Sequence, residues 1–370
     1  MKVKHKRMPN RAMLLLAAHL VVAPALAADA FRVRYNIAGS LGGEIFAPLD
    51  QPGVAVAGAL TRIDIDKLSG DHGEVRTMAV PGGVLPLPAP TPAALYPSYG
   101  GQDGVSGTAG SSQNQQNVAI GYMSPEVVGG GHFTFGVNLA YAVIKQRLTL
   151  AAPTPALSYP NPLVPSTAAR AQVAVGFDAG YQAGLAAQGN AVSGNDEGMG
   201  DAELLGGWTY SSERWRIVAG GSIVLPTGHY DSARAVNVGF GNFYTLRPAF
   251  QAAWLATPHL AVAGKFTLGL NDRNRDSHIR SGNWAGAEAA LAYLSPVGVV
   301  GAHTVLVRQY QDDDGGAFGA NRYALTGTGL FFTTKLPVID AALTVQYMTT
   351  SSSRNAKAGN FAQLRLVKLF

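Results

Sequence analysis

Apolar and polar residues alternate with a period of two along most of the chain. In HFTFGVNLAYAVIK, Phe133, Phe135, Val137, Leu139, Tyr141 and Val143 share one face, while His132, Thr134, Gly136, Asn138, Ala140 and Ala142 share the other. In HLAVAGKFTLGLN, Leu260, Val262, Gly264, Phe266, Leu268 and Leu270 oppose Ala261, Ala263, Lys265, Thr267 and Asn271. IDAALTVQYM sets Ile339, Ala341, Leu343, Val345 and Tyr347 against Asp340, Thr344, Gln346 and Met348. This alternation predicts half-buried strands. Twelve are expected, over 54–67, 117–125, 131–147, 199–210, 214–225, 240–255, 259–271, 283–294, 298–310, 322–335, 339–350 and 360–370. Their typical length is what a tilted strand needs to cross a bilayer core.

The connections between these strands alternate between long and short. The long ones are 68–116, 148–198, 226–239, 272–282, 311–321 and 351–359; the short ones are 126–130, 211–213, 256–258, 295–297 and 336–338. Short turns such as SSE, ATP and SPV face long polar loops such as NDRNRDSHIRS. A soluble sandwich has no reason to sort its loops in this way. A transmembrane barrel has one: an even strand number, short turns on the periplasmic side and long loops outside. The predicted fold is therefore all-β, a transmembrane antiparallel up-and-down barrel of about 12 strands.

The last segment, NFAQLRLVKLF, ends on an apolar aromatic. A closed barrel pairs its last strand with its first and leaves no free edge. In this register Leu364, Leu366, Lys368 and Phe370 face lipid. Phe370 fits the lower aromatic girdle, and an interfacial lysine can snorkel at small cost. Two segments fit the pattern less directly. The Pro/Gly-rich tract within 68–116 is either a mobile outer loop or one folded into the mouth. QVAVGFDAGYQAGLAAQ, within 171–187, alternates at Val173, Val175, Phe177, Ala179 and Tyr181. It reads as a thirteenth strand, an extension of the barrel above the membrane, or a plug.

The N-terminus sets the compartment. MKVKHKRMPNR is a basic region, AMLLLAAHLVVAPALA is apolar, and Ala25-Leu26-Ala27 has the small-x-small form of a cleavage site. A cleaved signal peptide over 1–27 is expected, followed by a barrel domain over 28–370. Cleavage removes Lys2, Lys4, Lys6, Arg7 and Arg11 and no acidic residue, which accounts for the whole net charge of +5. A basic chain would suggest a nucleic-acid partner, and this one loses that basis. With no cysteine, thiol chemistry and disulfides are excluded.

From about residue 198 the chain resembles a known family. GMGDAELLGGWTYSSERWRIVAGGSIVLPTGHYD carries the Gly-x-Gly-Asp, Leu-Gly-Trp and Leu-Pro-Thr-Gly-x-Tyr-Asp pattern of the meta-pathway phenol-degradation family of outer-membrane β-barrel channel proteins. NVAIGYMSPEVVGGGHFTFGVNL, RSGNWAGAEAALAY and RQYQDDD fit the same family. The resemblance covers most of 54–370, and insertions near 80–116 and 150–190 depart from it. It implies passive uptake of small hydrophobic or aromatic compounds, linked to aromatic catabolism. Outer-membrane barrels also end as this chain does, which implies that Phe370 is an assembly signal read by the barrel assembly machinery. Outer-membrane lipid is the other expected partner.

Enzyme chemistry has weaker support. GMGD lacks the following helix and lysine of a phosphate-binding loop and reads as a turn into a strand. His229, Asp231 and Ser232 lie in one outer loop without a nucleophile turn, so no catalytic residue is expected. The histidines after residue 27 show no metal-ligand spacing, and the acidic run at 312–314 lacks a calcium-loop pattern. No cofactor or metal is expected. A surface-interaction barrel and a membrane-embedded hydrolase remain the competing functional classes. The candidate lumen-lining residues are Arg62, Asp64, Asp66, Asp201, Glu203, Arg216, Arg247, Gln251, Lys265, Glu288, Gln346 and Arg365. They form either a charge network that stiffens the interior or a selectivity ring.

Overall fold

In the computed structural model, residues 32–370 are described apart from 37, 49, 162, 164 and 316–320. The expected signal peptide lies outside the described residues. The alternating segments form the strands β1 (Gly53–Leu68), β2 (Ser111–Val128), β3 (Gly131–Gln146) and β4 (Glu203–Ser211). They continue as β5 (Trp215–Val224), β6 (Thr245–Leu255), β7 (Leu260–Asn271) and β8 (Trp284–Ser295). The last are β9 (Gly298–Gln309), β10 (Ala324–Leu336), β11 (Ala341–Arg354) and β12 (Lys357–Leu369). Each pairs antiparallel with the next, and β12 pairs with β1, so the expected twelve-stranded barrel closes. A short strand, Gly194–Met199, continues β4 past an irregular break and pairs with β3.

The pleat sorts the side chains. Phe135, Phe250, Phe266, Leu291, Leu330 and Leu364 project outward and are exposed, as a lipid-facing surface requires. Beside the short turns, aromatic side chains stack in pairs: Trp208 on Tyr210, Trp215 on Trp254 and His259 on Tyr293. These pairs and Phe370, 70% exposed, make the lower girdle. The Phe370 and Val54 backbones bond reciprocally at 2.8 and 3.3 Å, sealing the final strand to the first.

Above the barrel the long loops fold into a cap. One small sheet joins Thr77–Val80, Gln102–Ala109 and Leu148–Ala151; another joins Gly83–Val84, Ser98–Tyr99 and Leu157–Ser158. Across them lies α1 (Thr167–Ala191). The segment 171–187 is therefore a helix rather than a thirteenth strand. Phe177, Tyr181 and Leu185, spaced by four, are buried with Val80, Leu85, Val105 and Leu150, while Val175 on the would-be strand face is 72% exposed. Several boundaries also differ from expectation, β6 starting at Thr245 instead of 240. β2 starts at Ser111 instead of 117, and the expected loop 351–359 is mostly strand around a tight turn at Asn355 and Ala356.

Candidate functional site: a half-filled lumen

The chain before β1 turns back into the barrel. Its described residues between Arg32 and Pro48 run from the outer end of the lumen to the periplasmic end. At the outer end the Arg32 N–H donates to Ser281 Oγ at 2.6 Å. At the other end Arg216 Nε donates to the Ala47 carbonyl at 3.1 Å. Val33 and Ala38 pack with Trp284, Val305, Val307, Met348 and Phe361; Leu41, Ile45 and Phe46 pack with Ala253, Ala261, Ala290 and Phe331. Burial stabilises by roughly 1.5–3 kcal/mol for each large apolar side chain. That offsets the entropy of ordering a segment with little secondary structure of its own. At Gly43 no side chain fits, because a Cβ would lie 2.4 Å from Thr333.

Polar contacts fix the depth of this plug. Glu288 of β8 accepts from Tyr35 Oη (2.7 Å), the Ser40 N–H (2.7 Å), Ser40 Oγ (2.8 Å) and the Leu41 N–H (3.0 Å). Lys265 stands directly opposite Glu288 in the β7–β8 ladder, with Nζ 3.8 Å from the carboxylate and 2.8 Å from Ser40 Oγ. Gln346 donates to the carbonyls of Ala38 and Gly39. Arg365 pairs with Glu44 at 3.1 Å and donates to the Ser40 carbonyl. Near the outer end Arg34 is buried, lies 3.9 Å from the Phe243 ring centroid and pairs with Asp201 at 2.8 Å.

The two glycine-bearing motifs build the Asp201 anchor. The Asp201 carboxylate accepts from the Gly228 and Phe240 N–H groups as well as from Arg34. Ala202 N–H donates to Thr227 Oγ1, and His229 N–H to the Met199 carbonyl. A side chain at Gly228 would meet Asp201 at 2.9 Å, so the LPTG glycine permits this close approach. GMGD and LPTGHYD thus interlock around one carboxylate. His229 lies near Asp196 at 3.2 Å, whereas the Asp231 carboxylate accepts from the Ala233 N–H and the Asp231 N–H donates to Asn237 Oδ1, so the three loop residues form no triad. The acidic run is engaged too: Asp312 pairs with Arg322, Asp313 accepts from Gln309 and the Gly282 N–H, and Asp314 pairs with Arg273.

The plug fills only one side. Inward positions of β7–β12 are buried, including Ala261, Ala290, Val305, Leu325, Met348 and Phe361. Several inward positions of β2–β5 are only partly covered, although Ala142, Thr209, Arg216 and Val224 are buried: Gln113, Gln115, Asn117 and Asn138 are half-buried, and Leu205 is 41% exposed. Along this open wall the amides form a chain. Gln113 donates to Gln115 and Gln115 to Asn117, both at 2.8 Å; Asn117 donates to Asn138 at 3.2 Å, and Asn138 to Glu203 at 3.3 Å. Glu203 ends the chain in an ion pair with Arg247. The sequence signal for this wall was the continued alternation of Gln113, Gln115 and Asn117, which the expected strand start at 117 cut off.

Of the remaining candidates, Gln251 and Arg216 face inward on β6 and β5. Arg62, Asp64 and Asp66 do not. They share the outer face of β1 with Leu60, and Arg62 bonds Asp64 and Asn114 there. Thr61, Ile63 and Ile65 take the inner face instead, where Ile63 packs against the Trp284 cluster.

The family described as "Putative MetA-pathway of phenol degradation" matches residues 97–366. The chain belongs to this family. Among solved structures it is similar to the COG4313 outer membrane channel from Pseudomonas putida F1, with a TM-score of 0.56 and 13% identity over 90% of this chain and 100% of that one. Weaker likenesses include the CymD monoaromatic hydrocarbon channel (TM-score 0.37, 12% identity, 91% and 95% covered). The transport unit of the autotransporter AIDA-I from Escherichia coli is another (TM-score 0.40, 9% identity, 91% and 100% covered). No curated protein matches the chain in sequence.

Proposed function

We propose that this family member is an outer-membrane channel for passive uptake of small, uncharged hydrophobic or aromatic compounds. The observation that carries the reading is the half-filled lumen. Its open wall is lined by neutral amides. Apart from Arg216, held by the Ala47, Ser212 and Trp215 carbonyls at the periplasmic end, its ions stand in opposite-sign pairs: Arg34 with Asp201, Arg247 with Glu203, Lys265 with Glu288 and Arg365 with Glu44. Paired charges create no net field of one sign, so the lumen favours neither anions nor cations. The partly covered amide wall is the side along which a small planar solute would pass. The family's link to phenol degradation and the outer-membrane channel of similar fold support the same reading.

Residence in the outer membrane follows from this reading, after export with removal of residues 1–27 and insertion by the barrel assembly machinery acting on Phe370. No catalytic role is included, since the conspicuous histidine and acidic side chains have structural partners. The test is uptake of labelled phenol and toluene, at micromolar concentration, by cells with and without the protein. Faster uptake of both aromatics, with no gain for labelled benzoate or glucose, is the expected result. Equal uptake of the aromatics with and without the protein would reject the proposal.

A further inference from the structure

On the outer face of β9–β12, apolar side chains give way to polar ones before the strands end. Leu306 is followed outward by Arg308, Leu330 by Thr328, Tyr347 by Thr349 and Leu364 by Asn360, with one intervening outward residue on β12. A bulge then re-aims β11. Thr326 pairs with Ser352 and Gly327 with Thr350, so Ser351 is an extra residue. An extra residue shifts the strand's facing by one, and Arg354 points outward as a result. Arg308 pairs with Ala324, and Ala324 with Arg354, which sets two guanidinium groups in one outward row with a small side chain between them. The flanking strands are about 10 Å apart.

Behind this row lies a pocket of about 660 Å³, lined by Arg308, Arg354, Ser351, Ser353, Asn360 and Asp66 among others. Arg354 Nε donates to the Arg322 carbonyl, which holds the side chain over the pocket. Arg308 makes no hydrogen bond or ion pair among the described residues. Lys67 and Asp71 also border the pocket, but Lys67 donates to the Gly73 carbonyl and Asp71 accepts from Asn355. Of the pocket's lining residues, Arg308, Ala324, Thr349, Ser352, Arg354 and Asn360 lie on the outer face of the strands, above the lipid-facing band.

We propose that this notch binds a phosphorylated glycolipid of the outer leaflet. Its level is that of the headgroups. A guanidinium binds phosphate through parallel N–H donors, and two of them across a small gap suit one phosphate or its ester. Ser352, Thr349 and Asn360 on the same outward face, with Asp66, supply hydrogen bonds for sugar hydroxyls. The acyl chains descend over Leu330, 66% exposed, and Tyr347, 53% exposed. The site needs only the barrel's place in the outer membrane. It is independent of any transport role, so a failed uptake assay would leave it standing.

The full-length folded protein is purified in detergent, stripped of copurified lipid and titrated with bisphosphoryl lipid A, with bound lipid counted by native mass spectrometry. Wild type should retain one molecule. Arg308→Ala and Arg354→Ala should each weaken binding by about tenfold, the effect of losing a charge-assisted bond. Lipid A lacking both phosphates should bind at least as weakly. Millimolar inorganic phosphate should not compete. Lys145→Ala, on the outer end of β3, should bind as wild type does. Arg308→Ala should stay heat-modifiable, since its side chain supports nothing within the barrel. Equal affinity of wild type and Arg308→Ala, or of the two lipids, overturns the proposal. Displacement by inorganic phosphate would overturn the lipid as occupant.

Discussion

Replacing Glu288 by alanine should release the plug while leaving the barrel closed. The carboxylate takes four hydrogen bonds from Tyr35, Ser40 and Leu41, and Lys265 lies 3.8 Å away. Alanine strands the N–H groups of Ser40 and Leu41, and a buried donor without an acceptor costs about 1–3 kcal/mol. Taking about 2 kcal/mol for each gives about 4 kcal/mol against the docked plug, or about 10³ in its opening equilibrium. Hydrogen exchange read by mass spectrometry should show the amides of Gly39–Phe46 exchanging about that much faster, with β7 and β8 unchanged. Single-channel conductance should rise in parallel. Glu288→Gln keeps an acceptor and should lose less. Lys265→Ala should cost only about 1 kcal/mol, because its side chain is 24% exposed and screened. Combined with Glu288→Ala, it should restore part of the loss, since no lone lysine then faces the emptied site. Unchanged exchange at Gly39–Phe46 would refute the assignment of Glu288 as plug anchor. Loss of heat-modifiable protein would show that Glu288 holds the wall instead.

Other consequences follow from the same contacts. Asp201→Ala leaves the buried Arg34 without its anion and should loosen the outer half of the plug by about 3–5 kcal/mol; Arg34→Met should cost less, both read by exchange at Val33–Tyr35. Deleting Phe370 should lower the yield of heat-modifiable protein several-fold, whereas deleting Leu163, 84% exposed in the cap, should not. Burial raises the Tyr181 phenol above its usual pKa. Its contribution to cap stability is thus complete below the unfolded value of about 10 and falls as pH rises through the folded value. Protease cleavage within the cap should increase in that alkaline window, and Tyr181→Phe should flatten the response. Intact-mass measurement of the membrane fraction should give a chain beginning at Ala28.

The alternation was enough to identify the wall. A strand between lipid and lumen must change character at every residue, and a barrel must have matched ends, so period, parity and loop length all carried local signals. The opposition of Lys265 and Glu288 was equally readable, because one hairpin fixes its own register. The motif around 198–231 marked the family, but its physical use was hidden. Asp201 is held by Gly228 and Phe240 and binds Arg34, far away in sequence.

Three features waited for the tertiary structure. The plug has no period, since its bonds reach partners hundreds of residues away, so nothing local announces it. The segment 167–191 carries both a two-residue and a four-residue apolar spacing; the small cap sheets, which cover Phe177, Tyr181 and Leu185 on one side, decided for the helix. On β1 the charges at Arg62, Asp64 and Asp66 suggested an inward face, on the assumption that everything outward meets lipid. The outer face there stands above the apolar band and meets water or headgroups. The interior at that level is closed by Trp284, Val305 and Phe361, so the apolar Ile63 turns in and the charges turn out. Sequence fixes which residues share a face; only packing decides what that face meets.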